Sequence, residues 1–343
     1  MSSNNIAPSD IYFADKVILV TGCNGFLGKE VLSTLLTIYR NLEGEGKSST
    51  HHIYAIDNGI TSNYDWKELP KYVTMISANA ITYNFNKLKN VDIVVHMAGL
   101  ASPAQYKKYP LETIDVACSL TRTLLEKCVE WKSKFVFFSS SEIYGNPSPD
   151  NIPTMEDYKG YVSCQGPRAC YDESKRMGET LCYVFNKYYG IHTNIIRPFN
   201  IYGPGMGKYD YRMIPNLMRA AVTNAELNIY GSGVQTRTFC YLDDAIEGII
   251  LVLKNGGSGE TYNIGNDKPE VSMIDLINNF REMSGLDIKY KITPYPDHYP
   301  ADEPLRRCPN LDKAINELGY QPRTEFLTGL KKTYDWARTV YTS

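Results

Sequence analysis

Residues 21–28 read Thr-Gly-Cys-Asn-Gly-Phe-Leu-Gly, a G-x-x-G-x-x-G pattern that separates two apolar segments of different periodicity. The segment before it, residues 17–20, is a continuous apolar run, and the apolar residues after it recur at helical spacing. Glycines in such a turn let backbone N–H groups and the helix N-terminus approach a pyrophosphate. The pattern therefore predicts a strand, a turn and a helix that bind a dinucleotide. Its candidate cofactor contacts are Gly22, Asn24, Gly25, Phe26, Leu27 and Gly28.

The rest of the first half of the chain alternates apolar runs with helical stretches. Continuous apolar runs suit strands covered on both faces, as in a parallel doubly wound sheet. After about residue 195 the elements become shorter. We therefore predict an α/β protein: a Rossmann-like doubly wound parallel sheet in residues 1–195, and a smaller C-terminal α/β substrate domain, mainly residues 196–343, with a return segment near residues 238–265. The strand candidates are residues 17–20, 53–56, 73–76, 93–97, 135–139 and 194–197.

Several local patterns carry weaker predictions. Residues 41–50 are polar and rich in glycine and serine, which predicts an exposed loop. Residues 271–284 and 325–340 predict helices, and residues 294–304 a loop rich in proline and tyrosine. The pair His51-His52 is interpreted as surface or strand-edge residues.

Composition excludes several classes of protein. The chain has 343 residues, 43% hydrophobic and 22% charged, which is ordinary for a globular protein. Its 36 basic and 38 acidic residues give no reason to expect a nucleic-acid partner. The N-terminus lacks a signal-peptide pattern, and no apolar window is long enough for a membrane span, so we expect a cytoplasmic protein without a membrane partner. Eight cysteines without a CxxC pattern predict reduced thiols and no metal site.

An acidic residue, Asp57, ends the second predicted strand, and Asn58 follows it. A carboxylate there accepts hydrogen bonds from the adenosine ribose, which favours NAD over NADP, although a turn or helix-cap aspartate is the alternative interpretation. Met97, Ala98 and Gly99 follow the fourth strand and are expected to pass beside the same cofactor.

A tyrosine and a lysine, Tyr171 and Lys175, are four residues apart, which places them on one face of a helix. A lysine cation and a positively charged nicotinamide would stabilise the phenolate and lower the pKa of Tyr171 toward working pH, so this phenol is a candidate base. Ser140 and Glu142 come directly after the fifth predicted strand. Because ligands bind beyond the carboxyl ends of parallel strands, both side chains are expected to face the nicotinamide, unless they only cap a helix.

Together these motifs resemble the extended short-chain dehydrogenase/reductase superfamily. Residues 197–204 (Arg-Pro-Phe-Asn-Ile-Tyr-Gly-Pro) and 230–237 (Tyr-Gly-Ser-Gly-Val-Gln-Thr-Arg) resemble its nucleotide-sugar branch. Residues 166–173 (Gly-Pro-Arg-Ala-Cys-Tyr-Asp-Glu) and residues 101–103 leading to Tyr106 are most similar to the UDP-glucuronic acid decarboxylases. The resemblance implies NAD as cofactor and a nucleoside-diphosphate sugar, with a UDP-sugar favoured, as substrate.

The resemblance also implies a reaction and a set of site residues. Oxidation of the C4 hydroxyl would give a β-keto acid that loses its C6 carboxylate, after which C4 is reduced again. It assigns catalytic roles to Tyr171, Lys175, Ser140, Glu142, Arg307 and Glu173. It assigns substrate contacts to Ser102, Tyr106, Ser141, Asn200, Arg212, Tyr230, Arg237 and Arg307. A homodimer is implied through the helices near residues 112–127 and 171–189, whose apolar residues, Leu120 and Met177 among them, would equally allow packing against the sheet.

Four positions depart from the family pattern. Asn79 stands near the adenine where an aspartate is usual, and Ala117, Gln105 and Cys308 replace an asparagine, an asparagine and a lysine. These changes leave three alternatives open: a 4,6-dehydratase, a 4-epimerase, and a catalytically silent NAD-binding regulatory protein of the same fold.

Overall fold

The computed structural model describes residues 8–61, 65–210, 212–295 and 304–341. The strands in these residues are β1 Val17–Thr21, β2 His52–Asp57, β3 Val73–Ser77, β4 Ile93–His96, β5 Lys134–Phe138, β6 Thr193–Pro198, β7 Ile201–Tyr202, β8 Leu227–Tyr230, β9 Thr236–Thr238, β10 Cys240–Tyr241, β11 Thr261–Ile264, β12 Glu270–Ser272, β13 Tyr290–Thr293 and β14 Arg306–Arg307. The helices are α1 Phe26–Gly44, α2 Pro103–Lys108, α3 Pro110–Asp115, α4 Thr121–Trp131, α5 Ala169–Tyr189, α6 Met213–Thr223, α7 Leu242–Asn255, α8 Met273–Ser284, α9 Asp312–Leu318 and α10 Phe326–Val340. A π-helical segment, Val116–Leu120, joins α3 to α4.

The main sheet has seven strands in the order β11-β6-β5-β4-β1-β2-β3 among the described residues, and every neighbouring pair is parallel. From β1 the chain proceeds outward through β2 and β3, then returns to place β4 on the other side of β1. The strand order therefore reverses between β1 and β4, which is where open α/β sheets bind ligands. The predicted fold class is confirmed.

Helices cover both faces of this sheet. On one face α1 and α7 pack with β1 and β4 in a core that includes Leu32 and Ile249. On the other face α4 and α5 pack in a second core that includes Leu124 and Phe185. All five residues of β5 are buried, which explains why its last four, residues 135–138, are continuously apolar rather than alternating.

The C-terminal part of the chain builds a lobe with a core of its own, formed mainly by α6, α8 and α10. Small sheets of two or three strands lie in this part of the described chain, among them β12-β9-β14. In that sheet Arg307 of β14 is in register with Arg237 of β9. Two later elements return to the main sheet, because β11 pairs with β6 and α7 packs against α1. The division of the chain into domains at residue 195 stays a prediction.

The expected loop at residues 41–50 is wrong in its first part. Helix α1 continues to Gly44, because Leu42 is fully buried in the core and extends the apolar face of the helix. The turn that follows is held by Asp15, whose carboxylate accepts hydrogen bonds from the backbone N–H groups of Ser49 and Thr50, at 2.8 and 2.9 Å.

The histidine pair was also misplaced in part. His51 is buried and its ring stacks on Tyr39, with 4.2 Å between the ring centroids, whereas His52 begins β2. The helix expected over residues 271–284 begins later, at Met273, because residues 270–272 form β12 and Ser272 caps α8. Most of the loop expected at residues 294–304 lies outside the described residues.

None of the helices in the described part of the chain has the length and apolarity that a membrane span requires.

Candidate functional site

The glycine-rich turn forms a cradle that has no room for side chains. Gly22 has φ +72°, and a Cβ atom there would lie 2.6 Å from the backbone nitrogen of Ala98. A Cβ on Gly28 would lie 2.1 Å from the carbonyl oxygen of Gly22. Both positions therefore require glycine, and the backbone stays exposed to a ligand at the N-terminus of α1. This geometry fits the pyrophosphate of a dinucleotide.

Asp57 holds the cradle against the end of β2. Its Oδ2 accepts a hydrogen bond from the Asn24 backbone N–H at 2.9 Å, and its Oδ1 accepts one from the Gly59 N–H at 2.7 Å. Each carboxylate oxygen keeps a further lone pair for a ribose hydroxyl. A cleft lies beside these groups at the carboxyl ends of β1, β2 and β4. Its lining includes Gly22, Gly25, Asp57, Asn58, Asn79, Met97, Ala98 and Gly99.

Two further predicted cofactor residues, Phe26 and Leu27, begin helix α1, and Phe26 packs against the cores of both the main sheet and the C-terminal lobe. The side chain of Asn24 faces away from the cleft floor, since its Oδ1 accepts a hydrogen bond from the Trp66 indole at 2.9 Å. Trp66 is a residue that sequence reasoning missed.

His96 at the end of β4 ties the cofactor loop to a helix. Burial lowers the pKa of His96 to about 3, so its ring is neutral. Its Nδ1 lies 2.8 Å from the Thr21 hydroxyl, and its Nε2 lies 3.2 Å from the carbonyl of Val116 in the π-helical segment. The Thr21 oxygen in turn accepts a hydrogen bond from the Ala98 N–H at 3.2 Å. This network fixes the path of residues 97–99 beside the cleft.

Lys175 lies beneath that path on α5. Its Nζ donates a hydrogen bond to the Phe138 carbonyl at 2.6 Å, and burial lowers its pKa to about 8. A Cβ on Gly99 would lie 3.3 Å from this Nζ, so the lysine and the loop after β4 are close neighbours.

Tyr171 is buried one helical turn before Lys175. Its ring stacks on Tyr106 with 5.3 Å between the ring centroids, and its phenol lies beside the Ser140 side chain. Burial raises the pKa of Tyr171, and the Ser140 side chain and the charge of Arg212 oppose that rise only in part.

The chain alone, without a bound nicotinamide, therefore does not show the expected lowering of the Tyr171 pKa. The lysine that was expected to stabilise the phenolate has its Nζ 5.9 Å from the centroid of the Tyr171 ring and donates to Phe138 instead. Desolvation of the phenol has the larger effect on its pKa.

Glu142 follows β5 and is paired with two arginines. Arg307 donates to both of its carboxylate oxygens, with 2.7 Å between Nη2 and Oε2, and Arg168 forms an ion pair with the same carboxylate. Arg168 also reaches Asp172, with 3.2 Å between Nε and Oδ2. Arg168 is part of the motif at residues 166–173, but the sequence predicted no role for it.

A larger cleft opens between these residues and the C-terminal lobe. Its lining includes Arg168 and eight of the predicted substrate or catalytic residues. These eight are Tyr106, Glu142, Tyr171, Asn200, Arg212, Tyr230, Arg237 and Arg307. Arg237 and Arg307 are neighbours on β9 and β14, and Arg212 is oriented by Asp210, with 3.0 Å between Nε and Oδ1. Tyr295, which the sequence did not single out, stacks on Tyr230.

Five predicted residues are not among those that line this cleft: Ser140, Lys175, Ser102, Ser141 and Glu173. Ser102 immediately precedes α2, and its neighbours Ala101 and Pro103 line the cleft instead. Ser141 is buried at the start of a short helical turn. Glu173 is directed toward Arg176 on its own helix, with 3.7 Å between Oε1 and Nε.

The described residues contain no group of three or more His, Cys, Asp or Glu side chains arranged to hold a metal ion.

Comparison with known proteins places the chain among nucleotide-sugar enzymes. It matches the profile of the NAD dependent epimerase/dehydratase family over residues 18–265. It is 32% identical over 331 residues to UDP-glucuronic acid decarboxylase 1 of Xenopus tropicalis, covering 94% of this chain and 72% of that protein. It is 32% identical over 324 residues to UDP-glucuronic acid decarboxylase 6 of Arabidopsis thaliana, covering 94% of this chain and 89% of that protein.

Among solved structures, the chain is similar to the UDP-glucuronic acid 4-epimerase of Bacillus cereus in complex with UDP-glucuronic acid and NAD. The TM-score is 0.78 at 29% identity, and the similarity covers 95% of this chain and 100% of that one. It therefore extends through both the main sheet and the C-terminal lobe.

Proposed function

Because the chain belongs to the NAD-dependent epimerase/dehydratase family, we propose that it decarboxylates UDP-glucuronic acid to UDP-xylose by way of a 4-keto sugar. The family expected from the motifs is confirmed. One observation carries the proposal: Tyr171, Glu142 and Arg307 line one cleft, and Ser140 lies beside them at the carboxyl end of β5.

The smaller cleft fits NAD. Gly22 and Gly28 allow the close backbone packing that forms the turn, Gly22 and Gly25 line the cleft where the pyrophosphate would lie, and Asp57 would accept hydrogen bonds from the adenosine ribose. When bound, NAD⁺ would bring a positive charge to the site, accept the hydride from C4 of the sugar and return it at the end of the turnover.

Tyr171 would take the proton of the C4 hydroxyl as the hydride leaves that carbon. Its phenol is buried beside Ser140, which can relay the proton or stabilise the oxygen on C4. Lys175, held by the Phe138 carbonyl, contributes its charge from below the loop at Gly99. The resulting ketone at C4 makes the C6 carboxylate that of a β-keto acid, so the C5–C6 bond breaks with release of carbon dioxide and the enolate is protonated at C5.

Glu142 and Arg307 would act on the sugar at this stage. The guanidinium of Arg307 can stabilise the negative charge that develops on the enolate oxygen, and Glu142 positions the ring. Arg168 pairs with the same carboxylate and so keeps it in one orientation.

The arginines of the larger cleft suit the diphosphate of the substrate. Arg212 and Arg237 line the cleft together with Asn200, and guanidinium groups bind phosphate oxygens in a bidentate manner. Tyr106, which stacks on Tyr171, would contact the sugar. Roles for Ser102, Ser141 and Glu173 stay predictions without support from the cleft geometry.

A 4-epimerase is the second candidate, and a specific similarity favours it: the Bacillus cereus structure is that of an epimerase bound to UDP-glucuronic acid. The two reactions share oxidation at C4 and differ in whether the keto acid keeps its carboxylate. A dehydratase stays a further alternative, and a non-enzymatic NAD-binding protein is disfavoured by the assembled Tyr171 and Lys175 site.

We also propose a homodimer formed through α3 and α5. Leu120, named as a candidate contact, is buried against the sheet and is not available for it. Met177 on α5 is 50% exposed and Leu111 on α3 is 72% exposed, which supports an apolar outer face on these helices. A cytoplasmic location stays a prediction.

The proposal is tested by incubating the purified protein with UDP-glucuronic acid and NAD⁺ and identifying the nucleotide sugar by mass spectrometry and NMR. A UDP-pentose, or its 4-keto form, supports decarboxylation. A product of unchanged mass with inverted C4 would assign the epimerase reaction instead, and loss of water from a GDP- or dTDP-hexose would assign a dehydratase.

A further inference from the structure

A tryptophan outside the glycine-rich turn is hydrogen-bonded into its centre. The indole N–H of Trp66 donates to Oδ1 of Asn24 at 2.9 Å. Trp66 lies in the segment between β2 and β3. Asn24 lies in the glycine-rich turn, directly before Gly25. The contact therefore connects two loops that both border the cofactor cleft.

Asn24 is held at two points by this arrangement. Its side chain accepts from Trp66, and its backbone N–H donates to Asp57 at 2.9 Å. Asp57 ends β2, and Trp66 lies in the chain between β2 and β3. These two residues hold the glycine-rich turn through two hydrogen bonds, one to the Asn24 backbone and one to the Asn24 side chain. Within the turn itself, the Gly25 N–H donates to the Gly22 carbonyl at 3.1 Å.

The indole ring is fixed by packing as well as by its hydrogen bond. Trp66 is half-buried and packs against the core that α1 and α7 form with the main sheet. A ring held in this way presents its N–H in one direction. The hydrogen bond to Asn24 is therefore already formed before NAD binds, and binding does not bear the entropic cost of ordering the indole. Without the indole N–H, the side-chain amide of Asn24 would be freer to rotate. The glycine-rich turn would then lose one of the hydrogen bonds that hold its shape.

We propose that Trp66 is a positioning residue for the cofactor, which holds the glycine-rich turn in the shape that binds the pyrophosphate of NAD. This inference rests on the use of NAD under the proposed function and is independent of which sugar is the substrate. Trp66 acts through Asn24 on cofactor affinity.

The first test is the dissociation constant of NAD⁺, measured by calorimetry on the wild type and on Trp66→Phe. Phenylalanine keeps an aromatic ring in the pocket and removes the N–H donor. We expect the dissociation constant to rise between about twofold and tenfold, the range for one hydrogen bond, while kcat at saturating NAD⁺ stays within about twofold. Trp131→Phe, the same substitution at the end of α4, is the matched control and should leave the dissociation constant unchanged.

A second variant keeps the test informative if Trp66→Phe lowers the melting temperature too far for titration. Asn24→Ala removes the acceptor of the same hydrogen bond without touching the ring, and it should weaken NAD⁺ binding by a similar factor. In the double variant the two effects should not multiply, because both substitutions break one bond. Multiplying effects, or an unchanged dissociation constant in Trp66→Phe, would overturn the proposal.

Fluorescence provides a readout that a purely structural role would not change. The chain has three tryptophans, Trp66, Trp131 and Trp336. In the Trp131→Phe/Trp336→Phe variant, where Trp66 is the remaining fluorophore, emission should change on titration with NAD⁺. The same change appearing in Trp66→Phe at full amplitude would count against the inference. If wild-type protein binds NAD⁺ but does not act on UDP-glucuronic acid, the sugar assignment fails while this test still applies.

Discussion

Arg307, near the end of the chain, pairs with the carboxylate of Glu142, which lies 165 residues earlier and follows β5 of the main sheet. The adjacent arginine of the same strand, Arg306, pairs with Glu270, with 2.7 Å between Nη2 and Oε2. Side chains alternate along a strand, so one pair faces the cleft and the other faces away from it. Both are arginine–glutamate ion pairs, but only the Arg307–Glu142 pair lines the cleft. Substitutions in the Arg306–Glu270 pair therefore serve as matched controls.

Glu142→Gln should lower the turnover of UDP-glucuronic acid by at least about a hundredfold, because it removes the charge that orients Arg307 and contacts the sugar. Glu270→Gln, the control, should leave turnover within about twofold. Steady-state rates of carbon dioxide release measure both. Equal losses in the two variants would mean that Arg307 and Glu142 only hold β14 against the turn after β5.

Tyr171→Phe should abolish turnover while NAD⁺ still binds, since it removes one hydroxyl and keeps the ring that stacks on Tyr106. Tyr183→Phe, on the exposed side of the same helix and also four residues before a lysine, is the control and should retain full activity. Calorimetry with NAD⁺ and product analysis separate the two properties. Residual turnover above about one part in a hundred in Tyr171→Phe would show that another group takes the proton.

Gly22→Ala should destabilise the fold by about 2 kcal/mol or more and prevent NAD⁺ binding. An alanine Cβ would lie 2.6 Å from the Ala98 nitrogen, on a residue with φ +72°. Gly44→Ala, at the end of α1, meets no atom within 4 Å and should not weaken binding. Thermal unfolding and NAD⁺ titration check both variants, and normal binding by Gly22→Ala would refute the placement of the pyrophosphate.

His96 should make the protein less stable as pH decreases. Folding lowers the pKa of His96 to about 3, below the value near 6.5 of an exposed histidine. Between these values the unfolded chain binds the extra proton, so the free energy of unfolding falls by about 1.4 kcal/mol per pH unit as the pH drops through this window. In His96→Asn this contribution should be absent. The free energy of unfolding, measured by urea titration, should then fall less steeply between pH 6 and pH 4 than it does in the wild type. Parallel declines would contradict the assignment of a neutral ring.

Met177→Asp should convert the proposed homodimer to a monomer, because it places a charge on the half-exposed apolar face of α5. Met155→Asp is the control, since Met155 is 54% exposed and lies outside α3 and α5. Sedimentation velocity reports the mass of each species. A wild type that sediments as a monomer at micromolar concentration would refute the dimer.

Local patterns explain why much of the fold was predictable. The glycines at residues 22–28 act through their own backbone, so their pattern and the strand before them suffice to place the turn. Tyr171 and Lys175 share a helical face by spacing alone. Six of the seven strands found in the main sheet of the described residues were predicted within one or two residues, whereas β11, Thr261–Ile264, which is not a continuous apolar run, was not predicted as a strand.

The residues that were missed depend on partners distant in sequence. Arg168 has a role because it meets Glu142, and Trp66 because it meets Asn24, and neither contact follows from neighbouring residues. For a related reason the chain alone, without a bound nicotinamide, does not show the expected lowering of the Tyr171 pKa. The charge of a lysine four residues away could be counted from the sequence, whereas burial of the phenol follows only from the packing around it.

The most direct test of the account is the fate of the C6 carbon. UDP-glucuronic acid labelled with carbon-13 at C6 is incubated with the protein and NAD⁺, and labelled carbon dioxide is measured together with the nucleotide sugar. The account predicts one labelled carbon dioxide for each UDP-pentose or 4-keto pentose formed, and none with Tyr171→Phe. Label that stays in the nucleotide sugar, with C4 inverted or unchanged, would contradict it.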